Sequence, residues 1–215
     1  MNEATNGTMR EAGKQLGQQI FIVDDDEAQR DSLVWLLESH GYAVRAFSGA
    51  RSFLAEWDGD SAGCLLLDVR MPGMSGLELF DELIRRNSTL PVIFITGHGD
   101  VAMAVAVLKK GAADFIEKPF SADEMLRVIS NCLAQESRER ELRVTRADTT
   151  HRLEQLTGRE REVLDLIILG KLNKQIADVL NISIKTVEVH RARVMEKMDV
   201  RTMASLIRRV VSAEQ

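Results

Sequence analysis

Residues 20–26 read IFIVDDD, an apolar run of four that stops abruptly at three acids, Asp24, Asp25 and Asp26. A short, continuously apolar segment suits a strand covered on both faces, which is the situation inside a parallel sheet. Working outward, the same kind of run recurs at Ala43–Phe47, Cys64–Leu67, Pro91–Ile95 and Phe115–Glu117. Between these runs lie helical patterns at Glu27–His40, Ala50–Glu56, Gly76–Arg86, Val101–Lys109 and Ala122 to about Arg140. Strands alternating with helices predict stacked βαβ units, hence a doubly wound α/β domain on a five-stranded parallel sheet. Helix punctuation agrees: Ser121 with Glu124 reads as a capping box, Asp100 as an N-cap, and Gly111 as a stop.

The chain has 215 residues, 45% of them hydrophobic and 28% charged, which is enough apolar material for real cores and too little net charge for global disorder. No apolar stretch reaches the roughly 18–20 residues of a membrane span, so no membrane association is expected. The polar start, Met1 to Gln19, lacks the apolar run of a signal peptide. Two cysteines, Cys64 and Cys132, stand far apart without metal-ligand spacing. The simplest compartment is a reduced cytoplasm.

The net charge of −5 is unevenly placed. Residues 1–18 are neutral, residues 19–135 carry 18 acids against 10 bases, residues 136–149 balance, and residues 150–215 carry 12 bases against nine acids. A basic end on an acidic chain points to an anionic partner for that end alone.

In a parallel sheet the C-terminal strand ends share one edge, where ligands bind. That edge receives Asp24–Asp26 after the first strand, Asp68 after the third, Thr96 after the fourth and Lys118 after the fifth. Clustered carboxylates repel one another, and an oxygen-loving cation such as Mg²⁺ relieves that repulsion. A carboxylate in such a site can attack a phosphoryl group, with Thr96 and Lys118 meeting the charge on its oxygens. Taken singly, the aspartate run is equally a helix N-terminus and Asp68 a turn residue before Met71-Pro72-Gly73. Their coincidence at one edge favours the site.

Beyond Gln135 the segment QESRERELRVTRADTT is almost wholly polar. Pairs such as Glu136/Arg140 extend the preceding helix, and the turn-forming residues of Thr145–Thr150 place a linker there. The alternative is one continuous exposed helix. After Leu153 no strand is predicted. Thr157 with Glu160 opens a helix over Arg159–Leu169 that Gly170 closes, and Asn173 caps Lys174–Leu180. Asn181-Ile182-Ser183 turns into a longer helix, Ile184 to about Met198, and a last helix runs from about Thr202 to Val211. Four helices with a short turn between the second and third form a helix-turn-helix arrangement.

The blocks IVDDD, LLLDVRMPGMSG, VIFITGHGD and ADFIEKPF resemble, in order and spacing, the signatures of response-regulator receiver domains, over residues 19 to about 135. The phrase LTGREREVLDLIILGKLNKQIADVLNISIKTVEVHRARVMEKM resembles the LuxR-type helix-turn-helix of the NarL/FixJ subfamily, over residues 153 to about 212. The implied layout is a tail at 1–18, a flavodoxin-like receiver at 19–135, a helical extension and linker at 136–152, and an all-α DNA-binding domain at 153–215. The resemblance makes Asp68 the phospho-acceptor and makes Asp24, Asp25, Asp68 and the Arg70 backbone carbonyl the Mg²⁺ site. It gives Thr96 and Lys118 to the phosphoryl group, pairs Thr96 with Phe115 as the switch, and makes Lys118-Pro119 a cis peptide. Phe115 also reads as core, and Asp26 is left to the helix terminus.

Helix Val101–Lys109 is apolar nearly all round, and Met103 with Val107 is the expected exposed patch through which phosphorylated chains form a homodimer. In the recognition helix Val187, Val194 and Met198 fall on the core side. That leaves Lys185, Thr186, Glu188, Val189, His190, Arg191, Ala192, Arg193 and Lys197 for double-stranded DNA or solvent. By family position residues 188, 189 and 192 read base edges: Glu188 suits a cytosine amino group, and Val189 or Ala192 a thymine methyl. An intrahelical pair of Glu188 with Arg191 is the alternative. The last helix resembles the one that pairs subunits. Implied partners are a sensor histidine kinase, DNA and RNA polymerase, and the expected role is a regulator of transcription, not an enzyme. A metal-dependent phosphohydrolase using Asp24/Asp26 competes, as does a regulator that ignores phosphorylation; the lysine after the last strand and the attached helix-turn-helix favour the phosphorylated regulator.

Overall fold

The computed structural model describes residues 17–97 and 101–214. The expected N-cap Asp100 and most of the N-terminal tail lie outside the described residues. Two compact units divide after Arg138, and each is taken by itself.

In the first unit, β1 (Gln19–Val23), β2 (Ala43–Phe47), β3 (Gly63–Asp68), β4 (Val92–Thr96) and β5 (Asp114–Glu117) pair in parallel in the order β2-β1-β3-β4-β5. The register sets Val23 beside Leu67 and Phe47, and Asp68 beside Ile95. Alternate strand residues serve opposite faces, as the two-residue strand period requires. Phe21, Val23, Leu65, Leu67 and Phe94 pack with α2 (Ala50–Glu56), α3 (Gly76–Arg85) and Val107 of α4 (Val101–Lys109). Ile20, Ile22, Cys64, Leu66, Ile93 and Ile95 pack with α1 (Glu27–Ser39) and the first turns of α5 (Ala122–Glu154). Both faces are covered, and each fully buried Leu, Ile or Phe contributes about 1.5–3 kcal/mol. Cys64 and Cys132 are both free thiols in the second of these layers.

Helix α5 departs from the expected linker. It runs unbroken for 33 residues, so Thr145–Thr150 is helical. The threonines that read as turn formers bond back into the helix instead: Thr145 Oγ1 donates to the Glu141 carbonyl and Thr149 Oγ1 to that of Thr145, each at 2.8 Å. Arg152 adds an i,i+4 ion pair to Asp148 at 2.9 Å.

The second unit adds α6 (Gly158–Ile168), α7 (Asn173–Leu180), α8 (Ile184–Lys197) and α9 (Met203–Glu214) around Leu164, Ile167, Ile176, Val187, Val194, Met198, Leu206 and Val210. Thr157 and Glu160 make the full reciprocal capping box. At α7 the cap is Leu172 and not Asn173, with Gln175 Oε1 accepting from the Leu172 amide at 2.9 Å. The tight turn before α8 uses Asn181 in the left-handed conformation, and Ser183 Oγ accepts from the Thr186 amide at 3.0 Å. No described helix is long and apolar enough to cross a membrane.

Candidate functional site

Four strand ends converge at one edge of the sheet. Asp24 follows β1, Asp68 and Thr96 are the last residues of β3 and β4, and Lys118 follows β5. Lys118 Nζ lies 2.8 Å from Asp68 Oδ1 and 3.4 Å from Asp24 Oδ2. Asp68 Oδ2 accepts from the Arg70 amide at 2.7 Å, and Asp24 Oδ1 from the Asp26 amide at 2.9 Å. Lys118 is aimed by its own backbone, whose amide donates to the Thr96 carbonyl at 2.7 Å. The Lys118-Pro119 peptide is cis. These groups, with Asp25, Gln29, Val69 and Gly97, line a hollow of about 310 Å³.

Burial pushes the Asp24 carboxyl up, against the pull of the Asp26 amide and of Lys118. Burial alone would lower the Lys118 ammonium, but its hydrogen bond and attraction to Asp68, with Asp24 beside it, raise it on balance. The lysine is therefore held charged against the Asp68 carboxylate. Asp25 stands exposed at the rim. Asp26 is committed elsewhere: its carboxylate caps α1, accepting from the Gln29 amide at 3.0 Å and Gln29 Nε2 at 3.1 Å.

Asp24, Asp25 and Asp68 carboxylates with the Arg70 carbonyl offer oxygen donors alone, which fits a hard divalent cation. Among the described residues no three acid, histidine or cysteine side chains form a ready metal cage. The donor set suits an ion that keeps several of its waters, as Mg²⁺ does.

Sequence reading missed Gly76. A Cβ there would stand 2.1 Å from the Asp68 carbonyl oxygen, so only glycine lets α3 start against the end of β3. Its position in MPGMSG was the available signal, but the reason is a contact eight residues back.

In the second unit α8 buries Val187 and Val194, with Met198 just beyond its end. Lys185, Glu188, Val189, Ala192 and Arg193 are exposed along one side, and Thr186, His190 and Arg191 are half-buried. Glu188 has no ion-pair partner among the described residues, so the alternative pair with Arg191 is absent. His190 Nδ1 is buried without a hydrogen-bond partner among the described residues. Lys197, expected to face DNA or solvent, turns inward: its Nζ sits 2.6 Å from Glu160 Oε2 and 3.1 Å from the Gln155 carbonyl. Glu160 is 2% exposed, and although burial works to raise its carboxyl, Lys197 and the Thr157 cap hold it down at about 2.

Residues 20–130 match the family model of the response regulator receiver domain, and residues 154–210 match that of bacterial regulatory proteins of the luxR family. The transcriptional regulatory protein FixJ of Bradyrhizobium diazoefficiens is 41% identical over 194 residues, 90% of this chain and 95% of its own. DctR of Rhodobacter capsulatus, a C4-dicarboxylate transport transcriptional regulatory protein, is 47% identical over 192 residues, 88% and 97% of the two chains. Among solved structures, the response regulator StyR matches with a TM-score of 0.82 at 42% identity, covering 90% of this chain and 98% of its own. The chain belongs to the NarL/FixJ family of response regulators. It is a transcription regulator with a receiver domain and a LuxR-type DNA-binding domain.

One further expectation for this response regulator fails at α4. Val107 is 3% exposed and belongs to the core, and Met103 is half-buried against the same cluster. Among its described residues the large apolar side chains in solvent are Val105 at 44% and Leu108 at 39%. Before Lys109 in its last turn, the helix carries no polar residue to mark its outer side. Its rotation is set by Ala104 and Val107 packing inward and by Lys110 pairing with Asp81 of α3 at 2.8 Å. Phe115 on the edge strand β5 is half-buried and packs on the receiver core, the bland reading of that residue.

Proposed function

We propose that Asp68 accepts a phosphoryl group from a sensor histidine kinase, and that this controls dimerisation and sequence-specific DNA binding. The single observation that carries the reading is the bridging of Asp68 and Asp24 by Lys118, at 2.8 and 3.4 Å, within an acid-lined pocket. In the transfer the P–N bond of the kinase phosphohistidine breaks as an Asp68 oxygen bonds to phosphorus, and the imidazole leaves with its electron pair. Lys118 reaches the oxygens of a phosphoryl group on Asp68 from where it stands, and the Thr96 hydroxyl at the end of β4 supplies a second donor. Asp24, Asp25, Asp68 and the Arg70 carbonyl would hold Mg²⁺, which when bound would neutralise phosphoryl charge.

Thr96 and Phe115 act as the switch from adjacent strands, Thr96 opposite Glu117 on β5 and Phe115 opposite Phe94 on β4. The dimer forms through α4, now with Val105 and Leu108 as its apolar contacts. Two copies of α8 then enter successive major-groove half-sites, with Lys185, Arg191 and Arg193 on phosphates and Glu188, Val189 and Ala192 at base edges. The DNA-bound dimer works on RNA polymerase. The functional division is a receiver at 19–135 and a DNA reader at 153–215, with 136–152 between them.

The test is selection of bound duplexes from a random pool, with and without a small phosphoryl donor, beside mass spectrometry of the protein. One acyl phosphate per chain on Asp68 and a symmetric site enriched more strongly with donor are expected. Steady turnover of the donor without a stable acyl phosphate would refute the regulator reading.

A further inference from the structure

The segment read from sequence as linker carries a set of polar contacts that reach the ends of two helices in the second unit. Asp148 on α5 accepts from Arg152 Nε, at 3.1 and 2.9 Å to its two oxygens, and from Arg209 on α9. Both guanidiniums then turn to the end of the recognition helix α8. Arg209 Nη1 donates to the Met198 carbonyl at 2.8 Å, and Arg152 Nη1 to the Lys197 carbonyl at 3.3 Å. Arg209 Nε also meets Thr149 Oγ1 at 3.3 Å, and Thr149 is fully buried. Arg152 Nη2 lies 3.5 Å from Asp199, just past the helix. Arg146, two residues before Asp148, donates to the Ser212 carbonyl near the end of α9 at 3.3 Å.

The last carbonyls of a helix have no partner within it and carry the negative end of its dipole. Here two cations cap them, and one carboxylate from α5 holds both cations in place. An Arg209 without Asp148 could still reach Met198, but its long side chain would lose the partner that fixes its direction.

We propose that Asp148 and Arg209 are positioning residues for DNA recognition: together they anchor the C-terminal end of α8 and so set how its exposed face meets the bases. The proposal rests on the reading of α8 as the DNA reader. Neither residue contacts a base. Residues 146–152 thereby act on the DNA reader from the segment just before it.

Asp148→Ala in the full-length protein separates this role from its alternatives, because charge and positioning predict opposite signs. Removing an acid from a DNA-binding domain by itself tightens binding, because the domain's net positive charge rises. Loss of the anchor weakens specific binding instead, on the order of tenfold on the selected duplex, the cost of about one misread base pair. Binding to a scrambled duplex should hold or tighten, and the slope of log affinity against log salt should stay as in wild type, since no phosphate contact is lost. Arg209→Lys should behave alike, because an ammonium cannot hold Asp148, Thr149 and Met198 at once. A purely structural role would lower affinity for both duplexes together, in step with the melting temperature, and Asp148→Asn, of equal size, keeps the test open should the alanine variant unfold. Asp148→Ala and Asp148→Asn binding the selected duplex as tightly as wild type would overturn the proposal. A wild-type chain that selects no duplex would overturn the DNA reading first, and this one with it.

Discussion

Asp68 is defined by what surrounds it: an ammonium on one oxygen, a backbone amide on the other, and buried Asp24 across the same lysine. Replacing its carboxylate with an amide of the same size removes the nucleophile and little else. Asp68→Asn should therefore give no acyl phosphate by intact-mass measurement while keeping a wild-type circular dichroism spectrum. Glu160 makes a different kind of prediction. Its carboxyl is held at about 2 against an ordinary 4.5, so the folded state binds fewer protons than the unfolded state between those values. Stability from this group is complete above about pH 4.5 and drains away as the pH falls toward 2. The stability gap between wild type and Glu160→Gln, read by denaturant melts, should narrow over that window. At neutral pH Lys197→Met leaves a buried carboxylate without its cation and should cost about 1–3 kcal/mol.

Elements place these residues, and two of them carry sharp tests. Helix α3 begins at Gly76 because a side chain there would run into the Asp68 carbonyl oxygen. Gly76→Ala must shift either α3 or the end of β3, at a cost of about 3 kcal/mol in thermal or chemical melts, and should slow phosphorylation of Asp68. In α4 the exposed and buried apolar residues separate association from folding. Charge at Val105 or Leu108 should abolish the phosphorylated dimer in light scattering with the melting curve intact. Val107→Asp should instead unfold the receiver, because its side chain lies in the core. Helix α5 teaches why the linker was misread. Thr145 and Thr149 are turn formers by composition, yet within a helix their hydroxyls bond back to the preceding turn, and burial of Thr149 holds that choice.

Across the whole molecule the net charge of −5 divides into an acidic receiver and a mildly basic DNA reader. With 12 bases against nine acids over residues 150–215, and Lys197 spent on Glu160, one copy has few cations for phosphates. Useful affinity then depends on two copies acting together. The salt dependence should show it: the slope of log affinity against log salt for the phosphorylated protein should be about twice that of the unphosphorylated monomer. Equal slopes in fluorescence anisotropy titrations would mean that phosphorylation does not double the DNA contacts.

The strands, the helices between them and the residues at the strand ends were legible in the amino-acid sequence, because each depends on neighbours close along the chain. Apolar runs mark strands, and a parallel sheet brings their C-terminal ends to one edge, so Asp24, Asp68, Thr96 and Lys118 had to meet. Tertiary structure alone decided the rotation of α4, the fate of Lys197, the need for glycine at 76 and the helicity of residues 145–150. Each of these turns on a partner from another element: Asp81 for Lys110, Glu160 for Lys197, the Asp68 carbonyl for Gly76, Arg209 for Asp148. A local pattern states which residues prefer burial or a helix end. Which side chain waits across the fold is set only when the elements pack.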